Sequence, residues 1–175
     1  GGFGIKYSKK DKQINLNNYA KLVHNFKKKL DCDIIFEPGR SLIGNTGILV
    51  SKIQYIKKGL NKNFIIIDAG MNDFMRTALY DANHDIVPII KTNKKGQEPV
   101  EFVGPICEST CKFVKYKKYQ KIKEGDFVAI TNVGAYGSSL SSNYNTKPFI
   151  AEIIADKNNF KIVRKRQDLL KLINS

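Results

Sequence analysis

The stretch VGPICESTCKF, residues 103–113, sets a thiol beside a carboxylate at the predicted end of a strand. Cys107 is able to hold a proton near neutral pH, since the reference pKa of a thiol is about 8.5, and Glu108 is able to bind a cation. Cys107 and Cys111 are separated by three residues, which matches neither a zinc ribbon nor a thioredoxin-like pair, so we predict no metal site. The stretch is either a reactive site or a polar turn.

The tetrapeptide EPGR is suited to hold an anion or a charged ring. It consists of Glu37, Pro38, Gly39 and Arg40. The glycine lets the backbone approach a ligand closely, and the arginine offers a guanidinium fork for phosphate or carboxylate. The glutamate is able to accept a hydrogen bond from a protonated ring nitrogen. An ordinary turn with a surface salt bridge is the alternative for these four residues.

Arg76 and Tyr80 form a second candidate pair for binding a carboxylate. They are four residues apart in a short helix predicted over residues 73–82, and therefore lie on the same helix face. A guanidinium fork and a phenol are able to grip a carboxylate together, and a structural contact between the two is the alternative. For His84 and His24 we predict structural, hydrogen-bonded roles rather than metal binding.

The elements that position these residues change in type along the chain. A glycine-rich loop at residues 1–5 precedes an amphipathic helix, for which Asn15 is the predicted cap, and residues 34–36 form a predicted buried strand before EPGR. This is one helix-and-strand step of a parallel α/β fold, in which ligand-binding loops follow the strands and both loops offer backbone amides to a phosphate. Cys32, just before the strand, is predicted to be in the core.

From residue 47 onwards the pattern is that of an antiparallel barrel or sandwich. Short β-rich runs alternate with Gly, Asn, Asp or Pro, as in GILVSKIQYI, NFIIIDAG, HDIVPII, EPVEFVG, GDFVAITNVG, PFIAEIIAD and FKIVRKR. The run GAYGSSLSSNYN predicts a loop from which Tyr136 and Tyr144 project. The last residues, QDLLKLINS, predict a terminal helix.

Composition narrows the class of protein. A chain of 175 residues with 42% hydrophobic residues is long enough to bury a core, and no apolar run approaches the roughly 18 residues of a membrane span. The net charge is +14, but the lysines are spread over predicted helix faces and loop tips, without a nucleic-acid motif. Three cysteines make a poor disulfide framework. We therefore predict a cytoplasmic protein that binds neither nucleic acid nor membrane.

Six segments in this order closely resemble the carboxyl-terminal part of the diaminopimelate decarboxylases. They are GGFGI, EPGR, DAGMNDFMR, LYDANHDI, VGPICES and GAYGSSLSSNYN, and they extend over nearly the whole chain. The resemblance implies an alanine-racemase-like fold, in which a TIM barrel that binds pyridoxal 5'-phosphate is followed by a mainly antiparallel β-barrel domain. Residues 1–46 would be the last steps of the TIM barrel and residues 47–175 the β-barrel domain.

The resemblance also implies an activity and a role for each candidate residue. Enzymes of this family remove one carboxylate of meso-diaminopimelate to give L-lysine and act as homodimers. Cofactor binding is implied for Gly2, Glu37, Pro38, Gly39, Arg40 and Tyr136, with the glutamate facing the pyridine nitrogen. Substrate binding is implied for Arg40, Arg76, Tyr80, Glu108 and Tyr136. Cys107 would return a proton to the substrate carbon, and with Glu108 it would complete the partner subunit's site.

This chain differs from the family pattern at two residues, and the resemblance places the cofactor-binding lysine outside it. The family usually has Asp where this chain has Cys111, and commonly Pro where it has Thr77. The lysine that binds the cofactor lies upstream of the glycine loop in the family, so no lysine of this chain is predicted to bind it, and we expect the chain alone to be inactive. A related decarboxylase for ornithine, arginine or carboxynorspermidine, and a basic binding module without catalysis, remain as alternatives.

Overall fold

The computed structural model describes residues 2–7, 11–94, 96 and 98–174. Helices are α1 Leu16–Leu30, α2 Arg40–Ile43, α3 Arg76–Tyr80 and α4 Leu169–Ile173. Strands are β1 Leu49–Lys57, β2 Asn63–Ile67, β3 Ile86–Pro88, β4 Val100–Val103, β5 Lys112–Tyr116, β6 Phe127–Ile130, β7 Glu152–Asp156 and β8 Asn159–Arg164. Short 3-10 turns occur at Gly44–Thr46, Ser138–Leu140 and Tyr144–Thr146. Gly1, the first residue of the predicted glycine loop, lies outside the described residues.

Helix α1 begins at the predicted cap. The side chain of Asn15 accepts a hydrogen bond of 3.0 Å from the backbone N–H of Asn18, which satisfies one of the free amides of the first turn. The apolar face of α1 is largely uncovered, with Leu16 63% and Leu30 57% exposed. Packing against the described residues therefore contributes little to this helix.

The strand predicted at residues 34–36 is not formed. No strand is assigned between α1 and α2, and Ile35 is 90% exposed. A strand requires a neighbour for its backbone hydrogen bonds, and no strand of the described sheets pairs with these residues. The prediction is wrong for that reason. Cys32 is exposed rather than in the core, because the run beside it forms no strand that would pack against the described sheets.

Six strands form one mixed sheet in the order β3-β6-β1-β2-β4-β5. All neighbouring pairs are antiparallel except β2 with β4, which run parallel. Alternate side chains of these strands face a common core, whose fully buried members include Ile53, Ile67, Phe102 and Val128. The prediction of a mainly antiparallel sheet domain is confirmed.

The sheet curls until its two ends meet. The hydroxyl of Tyr116, at the end of β5, accepts a hydrogen bond of 2.7 Å from the backbone N–H of Ile86 in β3. Beyond β5, the hydroxyl of Tyr119 donates to the Ile86 carbonyl at 3.0 Å. Backbone bonds from Lys121 to Lys94 and from Gly96 to Tyr119, each 2.8 Å, extend this seam. The result is a half-barrel with bridged edges.

The hairpin of β7 and β8 stands apart from the six-stranded sheet, because its strands pair only with each other. An ion pair of 2.7 Å between Glu152 of β7 and Arg164 of β8 joins the two strands of the hairpin. The terminal helix α4 is capped by Asp168, whose side chain accepts from the amide of Leu170 at 2.9 Å. Among the described residues, no helix combines the length and apolar character needed to cross a membrane.

Candidate functional site

Two arginines from distant segments share one phenol. The hydroxyl of Tyr7 accepts hydrogen bonds from Nη1 of Arg40 at 3.2 Å and from Nη2 of Arg76 at 3.3 Å. The ring of Tyr136 lies beside both guanidinium groups, with its centroid 5.6 Å from Cζ of Arg40 and 5.5 Å from Cζ of Arg76. Tyr80 contacts Arg76 at 5.8 Å, as expected from their spacing on α3. We call these five residues the arginine–tyrosine cluster.

Arg76 is held in place by a hydrogen bond to a histidine. It is only 5% exposed, and its Nε donates to Nε2 of His84 at 3.4 Å. The other ring nitrogen of His84, Nδ1, lies 2.9 Å from the carbonyl oxygen of Thr131. Burial lowers the pKa of His84, and the charges of Arg76 and Arg40 lower it further. Both ring nitrogens of His84 thus have hydrogen-bond partners, as predicted.

The arginine–tyrosine cluster carries uncompensated positive charge. Among the described residues, no ion pair involves Arg40 or Arg76. Their hydrogen-bond partners, Tyr7 and His84, are neutral groups. A buried charge without a counterion is costly. The cluster is therefore suited to an anion such as a carboxylate or a phosphate.

Two glycines join the segment that carries Arg40 to the loop that carries Tyr136. The amide of Gly134 donates to the Gly44 carbonyl at 3.0 Å, and a Cβ on Gly134 would lie 2.0 Å from the carbonyl oxygen of Ile43. Tyr136 follows in the left-handed region, with φ of 62°. This close approach of two backbones sets the separation between the guanidinium of Arg40 and the phenol ring.

Of the remaining predicted cofactor residues, Gly39 lies beside the cluster. A Cβ on Gly39 would lie 3.4 Å from the hydroxyl of Tyr136, so these two residues are close neighbours. Pro38 is half-buried, and Glu37 and Gly2 are exposed. Across the described part of the chain, no hydrogen bond, ion pair or ring contact links Glu37 or Gly2 to the arginine–tyrosine cluster.

Cys107 and Glu108 form a second group. Both line a cavity of about 440 Å³ together with Phe64, Glu101 and Cys111. Oε1 of Glu108 accepts a hydrogen bond of 2.6 Å from the hydroxyl of Tyr144, and this bond raises the pKa of Tyr144. Cys107 is exposed. Among the described residues, Glu108 bonds to Tyr144, and no hydrogen bond or ion pair links Cys107 or Glu108 to the two arginines.

The two departures from the family pattern are both buried. Cys111 is 3% exposed, and its sulfur accepts a weak hydrogen bond from the amide of Met71 at 3.4 Å. Thr77 is 5% exposed, and its hydroxyl has no hydrogen-bond partner among the described residues. Within the same residues, no group of three or more histidine, cysteine or carboxylate side chains is arranged to hold a metal ion.

Sequence reasoning missed the residue at the centre of the cluster. Tyr7 lies two residues after the end of the glycine loop, and its hydroxyl and its position near a predicted ligand-binding loop were the available signals. The hydrogen bond from Tyr144 to Glu108 was also missed, although both residues had been singled out. Both relationships join residues that are far apart in sequence, so periodicity carries no information about them.

Comparison with known proteins assigns the fold. Residues 8–134 match the family model described as pyridoxal-dependent decarboxylase, C-terminal sheet domain. Among curated relatives, the chain is 43% identical over 171 residues to diaminopimelate decarboxylase of Helicobacter pylori, with 97% of this chain and 42% of the relative covered. It is 41% identical over 173 residues to diaminopimelate decarboxylase of Vibrio cholerae, with 98% and 41% covered.

Solved structures similar to this chain bear the same name as the curated relatives. Diaminopimelate decarboxylase from Helicobacter pylori complexed with L-lysine superposes with a TM-score of 0.88 at 40% identity, covering 99% of this chain and 42% of that chain. The enzyme from M. jannaschii in co-complex with L-lysine gives a TM-score of 0.90 at 35% identity, covering 97% and 40%. The chain spans about two fifths of the length of these relatives. It belongs to the pyridoxal-dependent decarboxylase family, as the C-terminal sheet domain of that family.

Proposed function

We propose that this chain is part of a diaminopimelate decarboxylase, which releases CO2 from meso-2,6-diaminopimelate and forms L-lysine. Relatives at about 40% identity bear that name, and two of the similar structures hold L-lysine. In this proposal residues 1–46 end a TIM barrel and residues 47–175 form the β-barrel domain. Three thiols that are not paired in disulfides support a cytoplasmic location.

The observation that carries the proposal is the pair Arg40 and Arg76, which have no carboxylate partner among the described residues. The substrate bears two carboxylates and two ammonium groups, so its site needs both guanidinium and carboxylate side chains. Arg40, Arg76 and Tyr80 would bind a carboxylate of the substrate. Glu108, whose carboxylate is oriented by Tyr144, would bind an ammonium group.

Pyridoxal 5'-phosphate is the cofactor of the proposed enzyme, and several residues of this chain fit it. Glycine at position 39 leaves open a gap beside the Tyr136 hydroxyl that a Cβ, 3.4 Å from that oxygen, would narrow. Gly2, Pro38, Gly39, Arg40 and Tyr136 would hold the cofactor, with the exposed carboxylate of Glu37 available to its ring nitrogen. When bound, the cofactor acts as the electron sink for the carbon that loses CO2.

Cys107 would hold a proton on Sγ and return it to that carbon. A thiol is mostly protonated at neutral pH, which suits this role. Cys107 is exposed, and Glu108 makes its contacts away from the arginine–tyrosine cluster of its own chain. Both observations support a homodimer in which this pair completes the partner's site.

An activity assay of the full-length enzyme with the cofactor tests the proposal. Lysine formation from meso-diaminopimelate should exceed the decarboxylation of ornithine, arginine and carboxynorspermidine. Replacing Arg76→Met should lower kcat/KM by roughly ten- to a hundredfold, because a charge-assisted bond to the substrate is lost. Lys117→Met removes one charge from an exposed position and is the matched control. Preference for another amino acid, or an unchanged kcat/KM in Arg76→Met, would contradict the proposal.

A further inference from the structure

We propose that neutral His84 is the positioning residue for Arg76, and that it orients the guanidinium group for binding a carboxylate. The inference rests on the proposed function in one respect only, namely that the carboxylate is that of the substrate or of product L-lysine. His84 does not take part in the chemistry itself. Its role is to fix which N–H groups of Arg76 remain available to the ligand.

The tautomer of His84 follows from its two partners. A backbone carbonyl only accepts hydrogen bonds, so the 2.9 Å contact with Thr131 places the ring proton on Nδ1. In the neutral ring Nε2 then has a free lone pair, and it accepts from Nε of Arg76 at 3.4 Å. The contact with Arg76 therefore requires both the neutral ring and this tautomer.

Tyr7 orients the other side of the Arg76 guanidinium group through a hydrogen bond. Nη2 of Arg76 donates to the Tyr7 hydroxyl, which also accepts from Nη1 of Arg40. Arginine has five N–H donors, and these two bonds use one from Nε and one from Nη2. Among the described residues, the other donors of Arg76 have no acceptor. They form the available anion-binding edge of Arg76.

The ring of His84 is locked in place by its packing. It is 1% exposed and makes edge-to-face contacts with Phe74 at 4.6 Å and with Tyr7 at 4.7 Å. Rotation of the ring would break both contacts and both hydrogen bonds. The histidine is thus able to transmit a fixed orientation to Arg76.

Protonation would reverse the interaction. The charged groups that influence His84 are Arg76 from α3, Arg40 from α2 and its neighbour Asp85. Burial and the two arginines favour the neutral ring, while the carboxylate of Asp85 and the Thr131 carbonyl oppose them. A proton on Nε2 would point a donor at a donor and place two cations together. Acidification should therefore release Arg76 from its binding orientation.

Calorimetric titration of L-lysine into the full-length enzyme at pH 7.5 is the first test. His84→Phe keeps the ring packing but removes the acceptor, and should weaken binding about tenfold. His84→Gln offers a carboxamide oxygen to Arg76 and should bind within about threefold of the wild type. His24→Phe, at an exposed position on α1, is the matched control. Wild-type affinity in His84→Phe would overturn the proposal.

The pH dependence separates positioning from a general structural effect. Wild-type affinity should fall as the pH is lowered from 7.5 towards 5.5, and the part of this fall that is due to His84 should be missing in His84→Gln. The KM for meso-diaminopimelate should rise in His84→Phe more than kcat falls. Equal pH profiles for wild type and His84→Gln would contradict the role of the neutral ring.

Nitrogen-15 NMR of the histidines gives a readout without activity. The signals that disappear in His84→Gln identify His84, and at pH 7.5 they should show a protonated Nδ1 and an unprotonated Nε2. The opposite tautomer would overturn the proposal. If His84→Phe fails to fold by circular dichroism, His84→Asn replaces it, because its shorter amide keeps the donor to Thr131 but does not reach Arg76. An enzyme that binds L-lysine without decarboxylating meso-diaminopimelate would refute the proposed function and leave the positioning role standing.

Discussion

The hydroxyl of Tyr144 donates a hydrogen bond of 2.6 Å to Oε1 of Glu108. The bond joins the 3-10 turn Tyr144–Thr146, which follows the loop of small residues after β6, to the turn between β4 and β5. A phenol in this position fixes the direction of the carboxylate. The hydrogen bond that Tyr144 donates to Glu108 raises the pKa of the phenol, and the repulsion between an ionised phenol and the carboxylate raises it further.

Replacing Tyr144→Phe should weaken substrate binding. Without the hydroxyl, the carboxylate of Glu108 is free to rotate away from the ammonium group that it is proposed to bind. We expect KM for meso-diaminopimelate to rise roughly three- to tenfold, with a smaller change in kcat. Steady-state kinetics of the full-length enzyme measures this, with Tyr55→Phe at an exposed position of β1 as control. A fall in kcat at constant KM would assign Tyr144 to the chemical step instead.

His84 should make the free energy of unfolding depend on pH in the acid range. Its pKa in the folded state is lowered from the ordinary value of 6.5, mainly by burial. Below that value the unfolded chain binds a proton that the folded chain does not, so stability falls as the pH decreases and is constant above it. The slope from this one group is at most about 1.4 kcal/mol per pH unit.

Urea denaturation between pH 5 and pH 8 measures this dependence. In His84→Gln the contribution should vanish, leaving a flatter profile from the remaining groups. His24→Gln should retain the slope, since His24 is exposed on α1. A wild-type profile in which stability increases on acidification would show that the sign of the shift is wrong.

Local sequence signals predicted the elements that are stabilised by contacts within a few residues or by pairing with another described strand. The cap at Asn15 and the alternating strands of the sheet are of this kind. Strand β5 is not among the predicted runs, because its two lysines break the apolar pattern, although Phe113 between them is buried against the core. The run at residues 34–36 has the composition of a buried strand but no paired neighbour among the described strands.

The candidate site was predictable in residue type but not in arrangement. Spacing on one helix placed Tyr80 beside Arg76, and the structure shows that contact. The meeting of Arg40 with Arg76 on the hydroxyl of Tyr7 depends on how three segments pack. The periodicity of a sequence describes the faces of one helix or strand, and it gives no information about contacts between separate segments.

Tyr116→Phe should open the seam of the half-barrel. The substitution removes the acceptor for the backbone N–H of Ile86 and leaves that group without its 2.7 Å bond. An unsatisfied buried amide costs about 1–3 kcal/mol, so the free energy of unfolding should fall by that amount. Tyr119→Phe loses a donor to a carbonyl that Tyr116 also approaches, at 3.3 Å, and should cost less. Equal stabilities of both variants and the wild type in urea denaturation would argue against a closed seam.

The hydroxyls of Tyr116 and Tyr119 should ionise at a higher pH than those of ordinary tyrosines. Burial raises the pKa of Tyr116 and Tyr119 above the ordinary value of 10.0. The unfolded chain loses these protons first, so this part of the stability is complete below pH 10 and is lost as the pH rises. Ultraviolet absorbance during an alkaline titration measures the number of ionised tyrosines. While the protein is folded, the double variant Tyr116→Phe/Tyr119→Phe should differ little from the wild type. After alkaline unfolding, it should show two fewer ionised tyrosines. An early loss of amplitude in the double variant would contradict the burial of these hydroxyls.

Gly134→Ala should separate the two halves of the arginine–tyrosine cluster. The added methyl group would lie 2.0 Å from the carbonyl oxygen of Ile43, too close for any rotation of a side chain to relieve. The backbone must move, so the bond from Gly134 to Gly44 lengthens and Tyr136 shifts relative to Arg40. We expect a loss of roughly 1–3 kcal/mol in the free energy of unfolding, the range of overpacked sites.

The variant should also bind L-lysine more weakly than the wild type, because Tyr136 no longer borders both guanidinium groups. Asn61→Ala is the matched control, since it adds an alanine at an exposed position between β1 and β2 that belongs to neither candidate group. Calorimetry and urea denaturation of both variants make the comparison. Normal stability and affinity in Gly134→Ala would mean that the contact between residues 43–47 and the loop of Tyr136 does not determine the geometry of the cluster.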